Sequence, residues 1–204
     1  MNYFHHKFCR SSLWSHLLRL HVLPWALEGV ELGPDLLELG PGYGAATDLL
    51  RTRCERLTCL ESDERLARNL RQRMDGSNTT VLSGDACSIQ LPDSMFGGVA
   101  CFMMLHHVVP AIRQDQLFAE VFRVLRPGGA FAGADSLASP VLSVLHLFDT
   151  VLMVDPVSLP ARLKAAGFEN VQLDVSRYGF RFSACKPLQP NSSSTIHHQM
   201  ARST

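Results

Sequence analysis

Leu36-Leu37-Glu38-Leu39-Gly40-Pro41-Gly42-Tyr43-Gly44 is the stretch whose reading decides the fold. An apolar run of strand length that stops at closely spaced glycines reads as a buried strand, Asp35 to Leu39, entering a tight turn. Ala45 to Cys54 reads as the helix that follows. Gly40 and Gly42 let the backbone come close to a ligand, and the helix start behind them offers unpaired amides. The third glycine, Gly44, comes one residue earlier than the G-x-G-x-x-G spacing of a dinucleotide loop would place it, and Ala45 comes next. This is a different loop.

Outward from it, apolar runs of strand length alternate with stretches of helical period, which predicts a parallel sheet covered by helices on both faces. Strands are expected at Leu57 to Leu60, Thr79 to Leu82, Gly98 to Leu105 and Ala130 to Ala134. From Asp63, an N-cap by type, Leu66, Leu70 and Met74 recur every four residues, with Arg68, Arg71 and Arg73 facing away. Leu117, Val121 and Val124 mark a further helix, stopped by Pro127, Gly128 and Gly129. Ser158 begins a helix ending at Gly167. Val171 to Val175 and Tyr178 to Cys185 lie too close for a helical crossover and must pair antiparallel.

Three acids and two histidines fall at strand ends. Glu61 ends the second strand and suits two ribose hydroxyls, because an ionised carboxylate is a bidentate acceptor. Asp85, in Gly84-Asp85-Ala86 after the third strand, could accept from an adenine amino group. His106 and His107 end the fourth strand. Successive strand residues point to opposite faces, so at most one of the pair reaches a substrate; capping the strand is the alternative role. Asp135, ending the fifth strand, either orients substrate or caps the next turn.

The ordered set Glu38 to Gly44, Glu61, Gly84 to Ala86, Leu105-His106-His107 and Leu125-Arg126-Pro127-Gly128-Gly129 resembles the class I S-adenosylmethionine-dependent methyltransferases, small-molecule type 11, across residues 35 to 135. One departure is Phe96-Gly97, where the family has Phe-Asp. The resemblance implies a Rossmann-like α/β fold with seven strands in the order 3-2-1-4-5-7-6, strand 7 antiparallel, and S-adenosyl-L-methionine as cofactor. It also implies that Glu38, Gly40, Gly42, Gly44, Glu61, Asp85 and Ala86 bind the cofactor: the glycines under the methionine part, Glu61 on the ribose, Asp85 and Ala86 on the adenine. His106 and His107 are the catalytic candidates for an acceptor that must lose a proton. A base-amine methyltransferase would carry an N/D-P-P-Y-like motif where this chain has Met104-Leu105-His106-His107. A small organic acceptor is expected; the alternative is a domain that binds the cofactor without turnover and acts as a partner or sensor.

The 204 residues balance 19 acids and 19 bases, and 46% are apolar, as suits one globular domain. Zero net charge argues against nucleic acid as a partner, and no apolar run is long enough for stable membrane insertion. The balance is uneven: residues 28–174 hold all 19 acids and only 12 bases, a net −7, and the two ends carry +7. Six scattered cysteines without a C-x-x-C pair predict a reduced, cytoplasmic chain with no metal, and His5-His6 and His197-His198 lack ligand spacing. The domain plan expected is a helical lid at 1–27, in which Leu13, Leu17, Leu20 and Leu23 pack on the domain, then the cofactor domain at 28–186. That domain has a substrate-side insert at 136–157, and a disordered tail follows at 187–204.

Overall fold

The computed structural model describes residues 7–138, 150–177 and 179–188. His5-His6, His197-His198, half of the insert at 136–157 and all of the tail after Leu188 lie outside the described residues.

Seven strands form one sheet in the order β3-β2-β1-β4-β5-β7-β6. They are β1 (Asp35–Leu39), β2 (Arg56–Glu61), β3 (Thr79–Ser83), β4 (Phe96–Phe102), β5 (Leu125–Ser136), β6 (Glu169–Val175) and β7 (Gly179–Cys185). β1 to β5 run parallel, and β7 is antiparallel to both β5 and β6. This is the Rossmann-like arrangement that the sequence predicts, with the order reversing between β1 and β4, where open α/β sheets place their ligands.

The period of two sorts the strand residues onto two cores. Leu37, Leu39, Val99, Cys101 and Phe131 face one layer, with Leu117, Phe118, Val121 and Val124 of helix α5 (Ala111–Val124) and Leu159 and Leu163 of α6 (Leu159–Ala165). Phe131 is the hub of that layer: its ring lies 5.0 Å from Phe182, 5.7 Å from Phe168 and 6.2 Å from Phe118. Phe131→Leu should cost about 2 kcal/mol through lost ring pairing and poorer fit. Urea unfolding measures it, and a change indistinguishable from zero would remove Phe131 from that role.

On the opposite face Leu36, Cys59, Val81, Ala100, Phe102, Ala132 and Ala134 pack against the N-terminal helices and against α4 (Glu64–Arg73). The small Ala100, Ala132 and Ala134 leave room for α1 (Ser12–Leu17), a π turn (Leu18–Val22) and α2 (Leu23–Ala26). Arg181 of β7 fixes that helical run, donating to the Trp25 carbonyl and pairing with Glu28 at 3.0 Å and Asp174 at 3.2 Å.

Four local expectations change. Leu13, Leu17 and Leu20 are 62%, 38% and 55% exposed; the docked stripe is Trp14, Leu18, Val22, Leu23 and Ala26. Both stripes are apolar at helical spacing, so spacing alone did not separate them. The helix after the glycine turn is reduced to α3 (Thr47–Leu50), because Asn78 Nδ2 caps the carbonyls of Arg51 at 2.8 Å and Cys54 at 3.0 Å. β4 stops at Phe102, since Met103 takes a left-handed φ of 55°. His106 and His107 therefore stand on a 3₁₀ turn (Leu105–His107), and strand alternation does not govern them. Leu125 already pairs with Phe96 in the sheet ladder, so α5 ends without a loop.

Candidate functional site

The carboxyl ends of β1 to β5 gather Gly40, Gly42, Gly44, Glu61, Asp85, Ala86, His106, His107 and Asp135, whereas the Leu125–Gly129 motif stands at the start of β5. Gly40, Gly42 and Gly44 all adopt positive φ, at 62°, 54° and 77°. Gly40 must approach Met104, whose side-chain carbons lie 3.1 to 3.2 Å from where a Cβ would be. At Gly42 an added Cβ would meet nothing within 4 Å, so space stands open above the middle of the loop. The Gly44 N–H donates to the Pro41 carbonyl at 2.8 Å and closes the turn.

Glu61 faces this loop from the end of β2. Its carboxylate accepts the Gly42 N–H and the Asp63 N–H, each at 2.9 Å. Backbone donors on both sides fix the carboxylate beside the open space.

Glu38 lies deeper, under the loop. Thr47 Oγ1 donates to its Oε2 at 2.7 Å, and Cys59 Sγ, on the neighbouring strand in register, lies 3.3 Å from the same oxygen. Its side chain thus joins β1, β2 and α3 rather than opening onto the loop's free side. Burial pushes its pKa up to about 7, against the smaller opposing effect of the Thr47 and Cys59 hydrogen bonds. A carboxyl whose pKa rises on folding binds more protons folded than unfolded between the two values. Stability should therefore fall as pH rises from about 4.5 to 7, by on the order of 3 kcal/mol from this group. Urea unfolding of wild type and Glu38→Gln at both ends of that window tests this. The difference between them should grow with pH in favour of Gln, and a constant difference would contradict it.

Asp85 is half exposed and ion-paired with Arg113 of α5, and it also accepts the Cys87 N–H at 2.9 Å. These donors hold its pKa below the ordinary carboxylate range, against the largest single influence, its partial burial. Ala86 is buried beside it. Arg73 makes contacts that the sequence did not predict. It stays exposed, as expected, but its head is also tied to the loop: Nη2 donates to the carbonyls of Tyr43 at 3.1 Å and Gly44 at 3.0 Å, while Nη1 pairs with Asp48 at 2.9 Å. A Cβ on Gly44 would collide with that guanidinium. Arg113 and Arg73 are the residues that sequence reasoning missed. Their positions at helical spacing were visible, but the reach of their side chains was not.

At the far side of the loop, Asp135 Oδ1 lies 2.5 Å from His106 Nδ1 and accepts the Ser136 N–H at 2.7 Å, while Oδ2 accepts the His106 N–H at 3.2 Å. Both side chains are buried, each residue 2% exposed. The carboxylate fixes the imidazole with its proton on Nδ1, which directs Nε2 away from Asp135. The ring of His107, half buried, meets that of His106 at a tilt of 44° with centroids 4.2 Å apart. Gln114 Nε2 donates to the Leu105 carbonyl at 3.1 Å, and Leu152 N–H donates to the His106 carbonyl at 2.8 Å, so the 3₁₀ turn is held from two sides.

Residues 37–133, the span holding the glycine loop, Glu61, Asp85 and His106, match the family model described as "Methyltransferase domain". Over those residues the chain is similar to the methyltransferase-domain family. A ribosomal RNA small subunit methyltransferase A of Geobacter metallireducens is 41% identical over 80 residues, which are 38% of this chain and 29% of that protein. A probable S-adenosylmethionine-dependent methyltransferase of Mycolicibacterium smegmatis is 34% identical over 99 residues, 48% of this chain and 37% of that one. The chain thus spans about a third of the length of these relatives. A solved S-adenosylmethionine-dependent methyltransferase from Aquifex aeolicus superposes with a TM-score of 0.70 at 17% identity, covering 89% of this chain and 96% of that one, which shows a shared fold.

These relatives overturn one expectation. Net charge argued against nucleic acid, yet several matched proteins are named ribosomal RNA methyltransferases, among them an rRNA adenine N-6-methyltransferase of Saccharopolyspora erythraea at 40% identity over 75 residues. A net charge is an average, whereas nucleic acid meets a local patch.

Proposed function

We propose that the chain is an S-adenosylmethionine-dependent methyltransferase that acts on a small organic acceptor. The observation that carries the reading is the family match falling on one constellation, the glycine loop with Glu61 fixed against it. The residues fit the cofactor: open space over Gly42, a carboxylate for the ribose at Glu61 and another for the adenine at Asp85. When bound, the cofactor supplies an activated methyl group on a sulfonium.

The chain's own part is to bind, align and handle the proton. Alignment alone is worth roughly 7 to 11 kcal/mol in well-oriented reactions. Asp135 keeps the His106 proton on Nδ1, leaving Nε2 as the base that takes a proton from an acceptor O–H or N–H. The enclosed pair suits a compact acceptor. A base flipped out of RNA is also compact at the reacting end, and the names of the rRNA relatives favour this second reading.

The deciding experiment measures transfer of radiolabelled methyl from S-adenosylmethionine to a metabolite panel and, separately, to small-subunit ribosomal RNA. Label in a metabolite supports the first reading and label in RNA the second. No label in either, with S-adenosylhomocysteine still bound, would leave a cofactor-binding partner or sensor and overturn both.

A further inference from the structure

A cavity of about 720 Å³ opens between the N-terminal segment, the loop at Gly42 and Tyr43, and the start of α4. It is lined by Lys7, Arg10, Arg65 and Arg73, with Leu66, Leu70 and Asn69 also contributing and Asp63 as its one acid. None of Glu61, Asp85, His106 or Asp135 lines it, and it meets the glycine loop only at Gly42 and Tyr43.

Among the described residues, two of these cations lack a carboxylate partner, Arg10 and Arg65. Asp63 Oδ1 is turned into the helix as its cap, accepting the N–H groups of Arg65 at 2.9 Å and Leu66 at 3.1 Å. Arg73 is matched by Asp48. Arg65 also lies in the first turn of α4, where the helix dipole disfavours a cation. Arg73 is tied to the glycine loop and Asp48, whereas Arg10 and Arg65, the latter against its helix dipole, take part in no such bridge. They make a local patch of the sign that the chain's zero net charge conceals.

We propose that this cavity is a phosphate-binding site for a phosphorylated ligand, in which Arg10 and Arg65 grip the phosphate as planar guanidinium forks. The volume falls in the range of about 300 to 1,000 Å³ typical of ligand pockets, so it admits more than a single phosphate group. The buried side chains of Leu66 and Leu70 supply an apolar floor for whatever carries it. The proposal rests on the methyl-transfer reading only in naming the acceptor as the carrier of the phosphate; binding itself does not depend on it.

Calorimetry with inorganic tripolyphosphate and fluorescence anisotropy with a short single-stranded RNA, both at low salt, test the site. S-adenosylhomocysteine affinity is measured in parallel. Arg10→Ala/Arg65→Ala should weaken the phosphate probes by roughly tenfold or more and reduce the salt slope for RNA by about 1.4, at about 0.7 per lost cation. Arg10→Lys/Arg65→Lys should recover part of the loss. S-adenosylhomocysteine affinity should stay unchanged in both variants. RNA bound much more tightly than tripolyphosphate identifies a nucleic-acid backbone as the source, and comparable affinities identify a free phosphorylated compound; either supports the site. Absence of binding by both probes, or equal binding by the double Ala variant, overturns it. Loss of S-adenosylhomocysteine binding by the wild-type protein would instead count against the proposed function.

Discussion

Exchange of Glu61 for Ala is expected to weaken S-adenosylhomocysteine binding roughly 100-fold or more, since hydrogen bonds to a charged group are worth about 1.5 to 3 kcal/mol each. The side chain ends β2 and is nearly buried, so water does little to screen it. Its two oxygens already hold the N–H groups of Gly42 and Asp63. Removing them leaves those backbone donors without their acceptor and takes away the anion that would meet the ribose hydroxyls. Two effects then add: a looser loop at φ 54° for Gly42, and a lost bidentate partner. Glu61→Gln should recover little, because an amide replaces one acceptor oxygen with a donor facing an N–H. Titration calorimetry on variants with wild-type circular dichroism gives the answer, and an affinity equal to wild type would remove Glu61 from the cofactor site.

What the sequence disclosed was governed by local pattern. β1, β4 and β5 are buried on both faces and read as apolar runs, and the interval between β6 and β7 admits only a hairpin, so the strand order followed from family resemblance plus topology. Positive φ at Gly40, Gly42 and Gly44 was legible because only glycine adopts it freely. The N-terminal run was not, since Leu13, Leu17 and Leu20 repeat at the same spacing as a core stripe while Trp14, Leu18 and Val22 take the buried face. Nor were the arginines. Arg73 and Arg113 belong to helices by pattern, but their long side chains cross to the glycine loop and to Asp85, contacts between residues 25 to 30 apart in sequence. The exclusion of nucleic acid failed for a related reason, because a sum of zero says nothing about four bases around one cavity.

The pairing of His106 with Asp135 could have been anticipated from β4 and β5 being parallel neighbours, with Phe102 beside Ala134 in register. The residues that leave the two strands must then meet at the same sheet edge, and the left-handed Met103 turns the chain so that His106 lands on the carboxylate. For an acceptor that must lose a proton, Asp135→Asn should lower kcat by roughly 10²- to 10⁴-fold, the range that a positioned acid–base group contributes. The Asn oxygen could still accept one N–H, from Ser136 or from the His106 backbone, so the turn keeps a partial anchor and folding survives. Its amide would instead favour a proton-free Nδ1, which puts the proton on Nε2 and takes the base away. S-adenosylhomocysteine affinity should stay close to wild type, because among the described residues the hydrogen bonds of Asp135 go to His106 and Ser136, not to the glycine loop or Glu61. A purely structural role for Asp135 would lower thermal stability and cofactor affinity together, without a selective loss of kcat. His106→Gln should match Asp135→Asn, and the double variant should fall no further than either alone, since each removes the same unit. His107→Gln should act more weakly, because that ring only touches His106 at a tilt while Asp135 holds the latter. Full turnover by Asp135→Asn would mean that transfer depends on alignment alone, with an acceptor already deprotonated when it binds.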